Sequence, residues 1–503
     1  MMNLIFLPKS GRLLDLLTVC SSVVLLSACA NFSGIQSTAQ LKTLNAESNA
    51  SVFLNQHGLW PDANWAKDIG GTDLQELIAA AMVDNPSIQI AAARVNAAAA
   101  MTQATAAAEK PVVNASFTST YQRFTEHGMI PPPLAGSLNS DNQLALNFVY
   151  ELDFWGKHTA EIRSAISQEK AALAEQQSAR LILSNAIARA WVQLARQYAQ
   201  RDLSNRQLEV REKIDALTHQ RMLAGLDTAS DIQQSLIQIA SLHADILQWQ
   251  ETMALTRHQL AALLGQGPER GQSIARPVLH QSASSTALPA QLPLELLGRR
   301  PDIVAARWRV EAMQGEIDQA KTQFYPNINL VGFAGLSSLG VSQLFQSGSR
   351  IAGVGPAIRL PIFEGGRLRA QLTGRVAAYD SAVATYNQSL TDALHEVADQ
   401  VQSLQAIAAQ EKNQGMAEQA AKQTISLAQQ RQQIGTANAL PVLAAESVWI
   451  TQQKILTDMR LRRIELHINL IKALGGAATL SSNASPDLSA NTIQPKINLE
   501  TAQ

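Results

Sequence analysis

Hydrophobic and polar positions along this chain alternate between two rhythms. From Thr72 or Asp73 to about Ala108 apolar residues recur at helical spacing, with an N-cap residue at the start and Pro111 at the end. Asn85-Pro86 interrupts that helix, because proline lacks the N–H and disfavours helix before it. The rhythm then changes to period two. Residues 112–124 and 143–155 read as strands, and the second is clear. Leu144, Leu146, Phe148, Tyr150, Leu152 and Phe154 fall on one face, while Ala145, Asn147, Val149, Glu151 and Asp153 fall on the other. Gly128–Pro133 between them is a loop. After Gly156 neither Gly nor Pro occurs until Gly225, which predicts one unbroken helix of roughly 100 Å at about 1.5 Å per residue. Ala224-Gly225-Leu226 then turns the chain into a returning helix that ends at Leu264-Gly265.

The same plan is then repeated. A helix covers 292–323 and strands cover 327–336 and 351–363, with a Ser/Gly loop between them. A helix runs from Gly365-Gly366 to Ile434, Ile434-Gly435-Thr436 turns, and a last helix reaches Gly475. Pro86 and Pro301 lie 215 residues apart, as do Arg94 and Arg309, Pro111 and Pro326, and Asn114 and Asn329. Arg221 and Arg431, Gly225 and Gly435, and Gly265 and Gly475 recur at 210. The repeats are assigned to 73–266 and 292–475, with a linker at 267–291 and a Ser/Asn/Ala-rich tail at 476–503 expected to be disordered. A repeat this long is a duplicated supersecondary unit, not a solenoid of about 20–50 residues.

Composition sharpens the picture in three places. Aromatics are 5% of the chain and the helical stretches are rich in Ala, Leu and Gln, which suits long packed helices. A net charge of −1 gives no support for nucleic-acid binding. The N-terminus carries Lys9 and Arg12, then an apolar run from Leu16 to Ala28 that is too short to span a bilayer. It ends in Leu26-Ser27-Ala28-Cys29, which resembles the lipobox of bacterial lipoproteins. That resemblance implies a signal peptide at 1–28, a lipid on Cys29 and a lipidated leader at 29–72. Ala30, rather than Asp, after the cysteine favours the outer membrane in such proteins. Cys20 would leave with the signal, so the mature chain would keep no thiol for redox or Cys-based metal chemistry. No later segment has about 18 uninterrupted apolar residues, so a membrane crossing would have to be a barrel.

The strands have the length of tilted transmembrane strands, about 9–11 residues. Four strands cannot close a barrel, but three copies would supply twelve and leave no free edge. The expected fold is mainly α with a small β part: duplicated long α-hairpins plus four β-strands per chain, trimerising into a 12-stranded barrel and a helical tunnel.

Three ordered motifs carry a family resemblance. They are Leu296-Leu297-Gly298-Arg299-Arg300-Pro301-Asp302-Ile303, Gln323-Phe324-Tyr325-Pro326-Asn327-Ile328, and Gly355–Phe363 followed by Gly365-Gly366. With the duplication, the chain resembles the TolC-type outer membrane efflux channels, most of all the lipoprotein branch of OprM/NodT-like factors, over about residues 60–478. The resemblance implies a homotrimeric passive duct that docks on a periplasmic membrane-fusion adaptor and an inner-membrane RND-type pump, and whose outer end lies in outer membrane lipid. It also implies adaptor-contact tips at Ala224, Gly225, Leu226 and at Ile434, Gly435, Thr436. The family closes its tip with acidic and apolar rings. Asp231 matches an aspartate of the first tip, and Leu440 the apolar ring position of the second, where Pro441 and Ala444 replace the usual aspartates. The expected gate is therefore apolar at Leu440, with Asp231 as a residual acidic ring. The glycines have a simpler reading as helix ends, and Asp231 as a helix N-terminal charge.

Enzyme chemistry finds no support. The nine histidines form no His-x-x-His or His-Glu-x-x-His pattern, and no phosphate loop or Gly-x-Ser-x-Gly occurs. No cofactor and no resident metal are expected beyond the lipid on Cys29. Glu295, Arg299, Arg300 and Asp302 read as a salt-bridged structural knot. Two other functions stay open: a type I secretion duct, and a structural periplasmic lipoprotein.

Overall fold

The computed structural model describes residues 32–42, 60–62, 64–280 and 298–476. The signal peptide, Cys29, Glu295, much of the leader and linker, and the tail beyond 476 lie outside these residues. Helices dominate. In chain order the main elements are α1 (Trp65–Asp84), α2 (Pro86–Ala107), β1 (Val112–Arg123), β2 (Leu138–Glu151), α3 (Lys157–Leu223) and α4 (Ala229–Leu263). They continue as α5 (Pro301–Thr322), β3 (Asn327–Leu339), β4 (Arg350–Arg359), α6 (Arg367–Gln433) and α7 (Leu440–Ala473). The duplication holds to the residue in two pairs of helices: α2 and α5 have 22 residues each, and α3 and α6 have 67 each.

Contacts gather the chain into two units, and neither coincides with a sequence repeat. Among the described residues, one comprises 32–41, 96–171 and 307–385, the other 42, 60–62, 64–95, 172–280, 298–306 and 386–476. The boundaries fall inside α2, α3, α5 and α6, so both repeats contribute to each unit.

The first unit holds a four-stranded antiparallel meander in the order β1-β2-β3-β4. Its ladders run without a bulge, from Val112 opposite Val149 to Arg123 opposite Leu138, and from Glu151 opposite Asn329 to Asp141 opposite Leu339. The last pair runs from Asn327 opposite Arg359 to Leu336 opposite Arg350. Where α5 leads towards β3 and α6 follows β4, Ile317, Ala320 and Phe324 pack against Leu368, Leu372 and Val376, and Phe32 meets the Phe324 ring edge-on at 5.6 Å. The second unit is centred on Trp191, Ile187 and Leu194 of α3, which bury against Leu74 of α1, Leu260 of α4 and Ile468 of α7.

Element boundaries differ from the sequence reading at five places, one of them the helix expected over 292–323, which breaks at Arg300 so that α5 starts at Pro301. Helix α1 starts at Trp65 rather than Thr72, with Gly70 and Gly71 out of helical conformation, so the break expected at the helix start sits inside it. Strand β2 is displaced towards the N-terminus, to 138–151. Its polar first half, Asn139–Gln143, has no apolar alternation to announce it and is a strand because β1 pairs with it. Its far end stops early because Asp153 leaves the ladder. The Asp153 carboxylate accepts the Thr159 N–H at 3.1 Å and caps α3. Strand β3 continues to Leu339, and β4 stops at Arg359 because its partner begins only after Pro326, at Asn327.

Candidate functional site

Two features of the chain are candidates for function: the sheet and the paired turns. The register places Phe117 and Tyr121 of β1, Leu146 and Phe148 of β2, Leu330 of β3, and Val354 and Ile358 of β4 on one face. Most of these are uncovered, Phe117 at 61% and Val354 at 79% exposure. The opposite face carries Asn114, Ser116, Thr118, Asn147 and Asn329, with the Asn147 amide donating to Ser116 Oγ at 2.9 Å. One apolar and one polar face on adjacent strands is the pattern of a sheet with lipid on one side and water on the other. The outer edges, β1 and β4, pair with no strand among the described residues. No described helix is long and apolar enough to cross a membrane.

The two turns read as tips share one backbone. Gly225 and Gly435 have φ of 73° and 75°, a region that glycine enters at little cost. Leu226 N–H donates to Arg221 O at 2.8 Å and Gly225 N–H to Met222 O at 2.9 Å. Thr436 N–H donates to Arg431 O, and Gly435 N–H to Gln432 O, both at 3.0 Å. These are paired Schellman closures, which satisfy the last carbonyls of α3 and α6. Ala224, Gly225, Leu226, Ile434, Gly435 and Thr436 are all exposed.

The side chains around the turns differ. At the first, the Arg221 guanidinium grips both carboxylate oxygens of Asp227 at 2.8 Å. Asp231 completes a capping box: its carboxylate accepts the Thr228 N–H at 2.8 Å and the Thr228 hydroxyl at 2.7 Å. The Thr228 hydroxyl and N–H hold the Asp231 carboxyl below its usual range. At the second turn the positions equivalent to Asp227 and Asp231 are Ala437 and Pro441. Arg431 makes no ion pair among the described residues, and Pro441 sits in the first turn of α7, where its missing N–H costs nothing. Leu440 opens α7 half-buried, its N–H donating to Asn438 Oδ1 at 3.1 Å. Sequence spacing gave no sign of the Arg221–Asp227 clamp, since six residues separate its partners across the turn.

The helix ends opposite the turns are locked by a second duplicated device. Gly265 and Gly475 also have positive φ, at 74° and 93°. A Cβ on Gly265 would lie 2.8 Å from Asp84 O, and one on Gly475 would lie 2.6 Å from Arg299 O. Asn85 donates its amide to Leu263 O at 2.8 Å, while Arg300, its counterpart, donates to Ala473 O at 3.0 Å. Arg300 also binds Asp302 at 2.7 Å and Glu396 at 2.8 Å, and Lys472 binds Glu396 at 2.9 Å. Burial alone would push the Asp302 and Glu396 carboxyls up, but the cations bonded to them hold both below the ordinary range. The expected charge knot is therefore structural, with Glu396 and Lys472 as members that only the fold brings in. Arg299 also stacks over Trp60, 4.4 Å from the ring. Among the described residues no group of three or more His, Cys, Asp or Glu could hold a metal ion.

Comparisons with known proteins bear on both features. Residues 77–266 and 292–476, the two repeats, match the family described as outer membrane efflux protein. The chain is 35% identical over 363 residues to the fusaric acid resistance protein FusA of Burkholderia cepacia, covering 71% of this chain and 68% of that one. It is 29% identical over 478 residues to the multidrug resistance outer membrane protein MdtP of Escherichia coli strain K12, covering 93% and 97%. The crystal structure of the outer membrane protein VceC from Vibrio cholerae aligns with a TM-score of 0.76 at 38% identity, covering 83% of this chain and all of that one, 100%. The duplicated hairpins, the two-faced sheet and these matches together place the chain in the family of outer membrane efflux proteins.

Proposed function

We propose that the protein is the passive exit duct of a tripartite efflux system and works as a homotrimer. Its family consists of outer membrane channels, and efflux across the outer membrane of a Gram-negative bacterium is its function. One observation carries the finer reading: a bulge-free four-stranded sheet with one apolar face and, among the described residues, two unpaired edges. Three copies joined edge to edge, β4 of one to β1 of the next, make a closed barrel of twelve strands with lipid outside and water inside. The polar face then lines the pore.

Cys29 carries the lipid in this reading. It lies three positions before Phe32, whose ring packs edge-on against Phe324. Phe324 lies three residues before the start of β3. The turns at Gly225 and Gly435 meet a periplasmic adaptor, with an RND-type pump behind it. Leu440 forms an apolar gate and Asp231 an acidic ring. The cargo is small toxic compounds.

The test is the mass of the mature protein in detergent, with single-channel conductance in planar bilayers. A trimer with discrete channels is expected, and Leu440→Ala should raise the resting conductance. A monomer that stays silent even as Leu440→Ala and Asp231→Asn variants would overturn the duct and favour a scaffold. Asp231→Asn separates gate from cap: an acidic ring predicts altered cation selectivity, whereas a cap alone predicts only a less stable helix start.

A further inference from the structure

Three arginines of the second unit gather around one aromatic ring. Tyr198 of α3 is buried in the core that also holds Ile274. The guanidinium carbons of Arg201, Arg257 and Arg276 stand 5.1, 5.6 and 5.1 Å from the centre of its ring. Arg201 comes from the next turn of α3 and Arg257 from α4. Arg276 follows the short helix Pro268–Ser273, which presses on α4 so closely that a Cβ on Gly271 would lie 2.8 Å from Arg257 O. The buried Ile274, two residues before Arg276, pins the backbone that carries it.

Charge around the ring is out of balance. Among the described residues Asp202 is the carboxylate paired with the cluster, 2.8 Å from Arg201 and 2.7 Å from Arg276. Burial alone would raise its carboxyl, but those two partners hold it below the ordinary range. Arg257 pairs with no carboxylate among the described residues. Its Nη2 donates to the Tyr198 hydroxyl, and its buried Nε meets no acceptor. Three guanidiniums against one carboxylate leave two positive charges uncancelled, and far more N–H donors than that carboxylate can accept from. A buried cationic nitrogen without a partner costs stability and calls for an explanation.

The architecture does not explain it. At the offset of 210 the second repeat has Ala408, Glu411, Lys412 and His467 where the first has Tyr198, Arg201, Asp202 and Arg257. Glu411 there pairs with Arg463 at 3.1 Å. Helix α6 reaches the same length as α3 without the ring or the arginines. The cluster therefore belongs to the first repeat alone.

We propose that Tyr198, Arg201, Arg257 and Arg276 form a binding site for a doubly charged oxyanion of the phosphate type. Planar guanidinium forks match phosphate oxygens in pairs. Near neutral pH a phosphate monoester carries about −1.5 to −2 charges, which balances the two left over, whereas chloride would cancel only one. The Tyr198 hydroxyl accepts from Arg257, so its own proton is available to the anion. The Arg276 side chain, 55% exposed, opens the site to solvent. Free phosphate and the phosphomonoester head group of a lipid present the same dianion. The site lies inside one chain and does not depend on the trimer.

The experiment is thermal unfolding of the mature full-length protein in detergent, with inorganic phosphate titrated against sodium chloride at matched ionic strength. A saturable rise in melting temperature beyond that in chloride is expected. Arg276→Gln removes an exposed side chain and should weaken the apparent phosphate affinity about tenfold, the loss of one charged hydrogen bond. Asp202→Asn removes the competing carboxylate and should tighten phosphate binding; ion pairs that serve the fold alone would instead leave this variant less stable and no better at binding. Short-chain phosphatidic acid in the micelle separates the sources: a larger rise than with inorganic phosphate assigns a lipid head group, a smaller one the soluble ion. A parent protein that phosphate stabilises no more than chloride would overturn the site, as would an Arg276→Gln variant that responds as strongly as the parent. A phosphate response in a monomeric protein would sustain the site while the duct reading fell.

Discussion

Gly225 and Gly265 have nearly the same φ and the same pair of closing hydrogen bonds, yet they should respond differently to the same substitution. A Cβ on Gly225 meets open space, so Gly225→Ala should cost only the left-handed strain, about 1–2 kcal/mol. A Cβ on Gly265 strikes the backbone of Asp84 and Asn85, so Gly265→Ala should cost clearly more. Thermal unfolding followed by circular dichroism separates the two; equal losses would mean that the contact at Gly265 gives way freely. The Arg300 cluster makes a pH prediction. Asp302 and Glu396 have folded pKa values below their unfolded ones, near about 4. Their stabilisation is therefore complete above that unfolded value and is lost as pH falls through the depressed folded values. An Asp302→Asn variant should be less stable than the parent at neutral pH and should lose less on acidification. Parallel melting-temperature curves for the two between pH 6 and pH 3, an interval set by about those reference values, would contradict this. Removing the buried cation with Arg300→Met should cost about 3–5 kcal/mol.

Helices were more legible than strands. The stretch between Gly156 and Gly225 became α3 within a residue at either end, because glycine in the left-handed region stops a helix wherever it occurs. Strand ends follow partners that no local pattern reveals. Asn139–Gln143 belongs to β2 only because Arg123 and its neighbours lie opposite, and Leu152 and Phe154 fall out because Asp153 caps the next helix. The alternation of Leu144–Tyr150 did identify the apolar face correctly, and that face carries its own prediction. Val354→Arg and Phe117→Arg, on the exposed apolar side of the edge strands, should destabilise the inserted protein by about 2–4 kcal/mol if they lie near the bilayer midplane. Ser116→Arg, on the polar face, should be tolerated and alter ion selectivity. Equal insertion of all three variants into liposomes would argue against a lipid-facing side.

At the scale of the whole molecule, the repeat offsets of 215 and 210 held for turns, latches and helix lengths, so most of the architecture could be read from spacing alone. Long-range partnerships could not. Nothing near Arg300 in sequence points to Glu396 or Lys472, and nothing in either repeat says that contacts would gather segments of both into each unit. The differences between the repeats were visible as substitutions, but their meaning waited for geometry. Asp227 and Ala437 are one such pair. In a ring of three chains the six turns would share one backbone shape but not one charge. Turns whose arginine is clamped by Asp227 and that also carry Asp231 would alternate with turns that present an unclamped Arg431. A protein docking on that ring would find handholds of equal shape at every turn but of equal charge only at every second one. Shape alone would let it settle in two rotational positions; the single clamp, present in one repeat and lost in the other, would tell it which of the two is right.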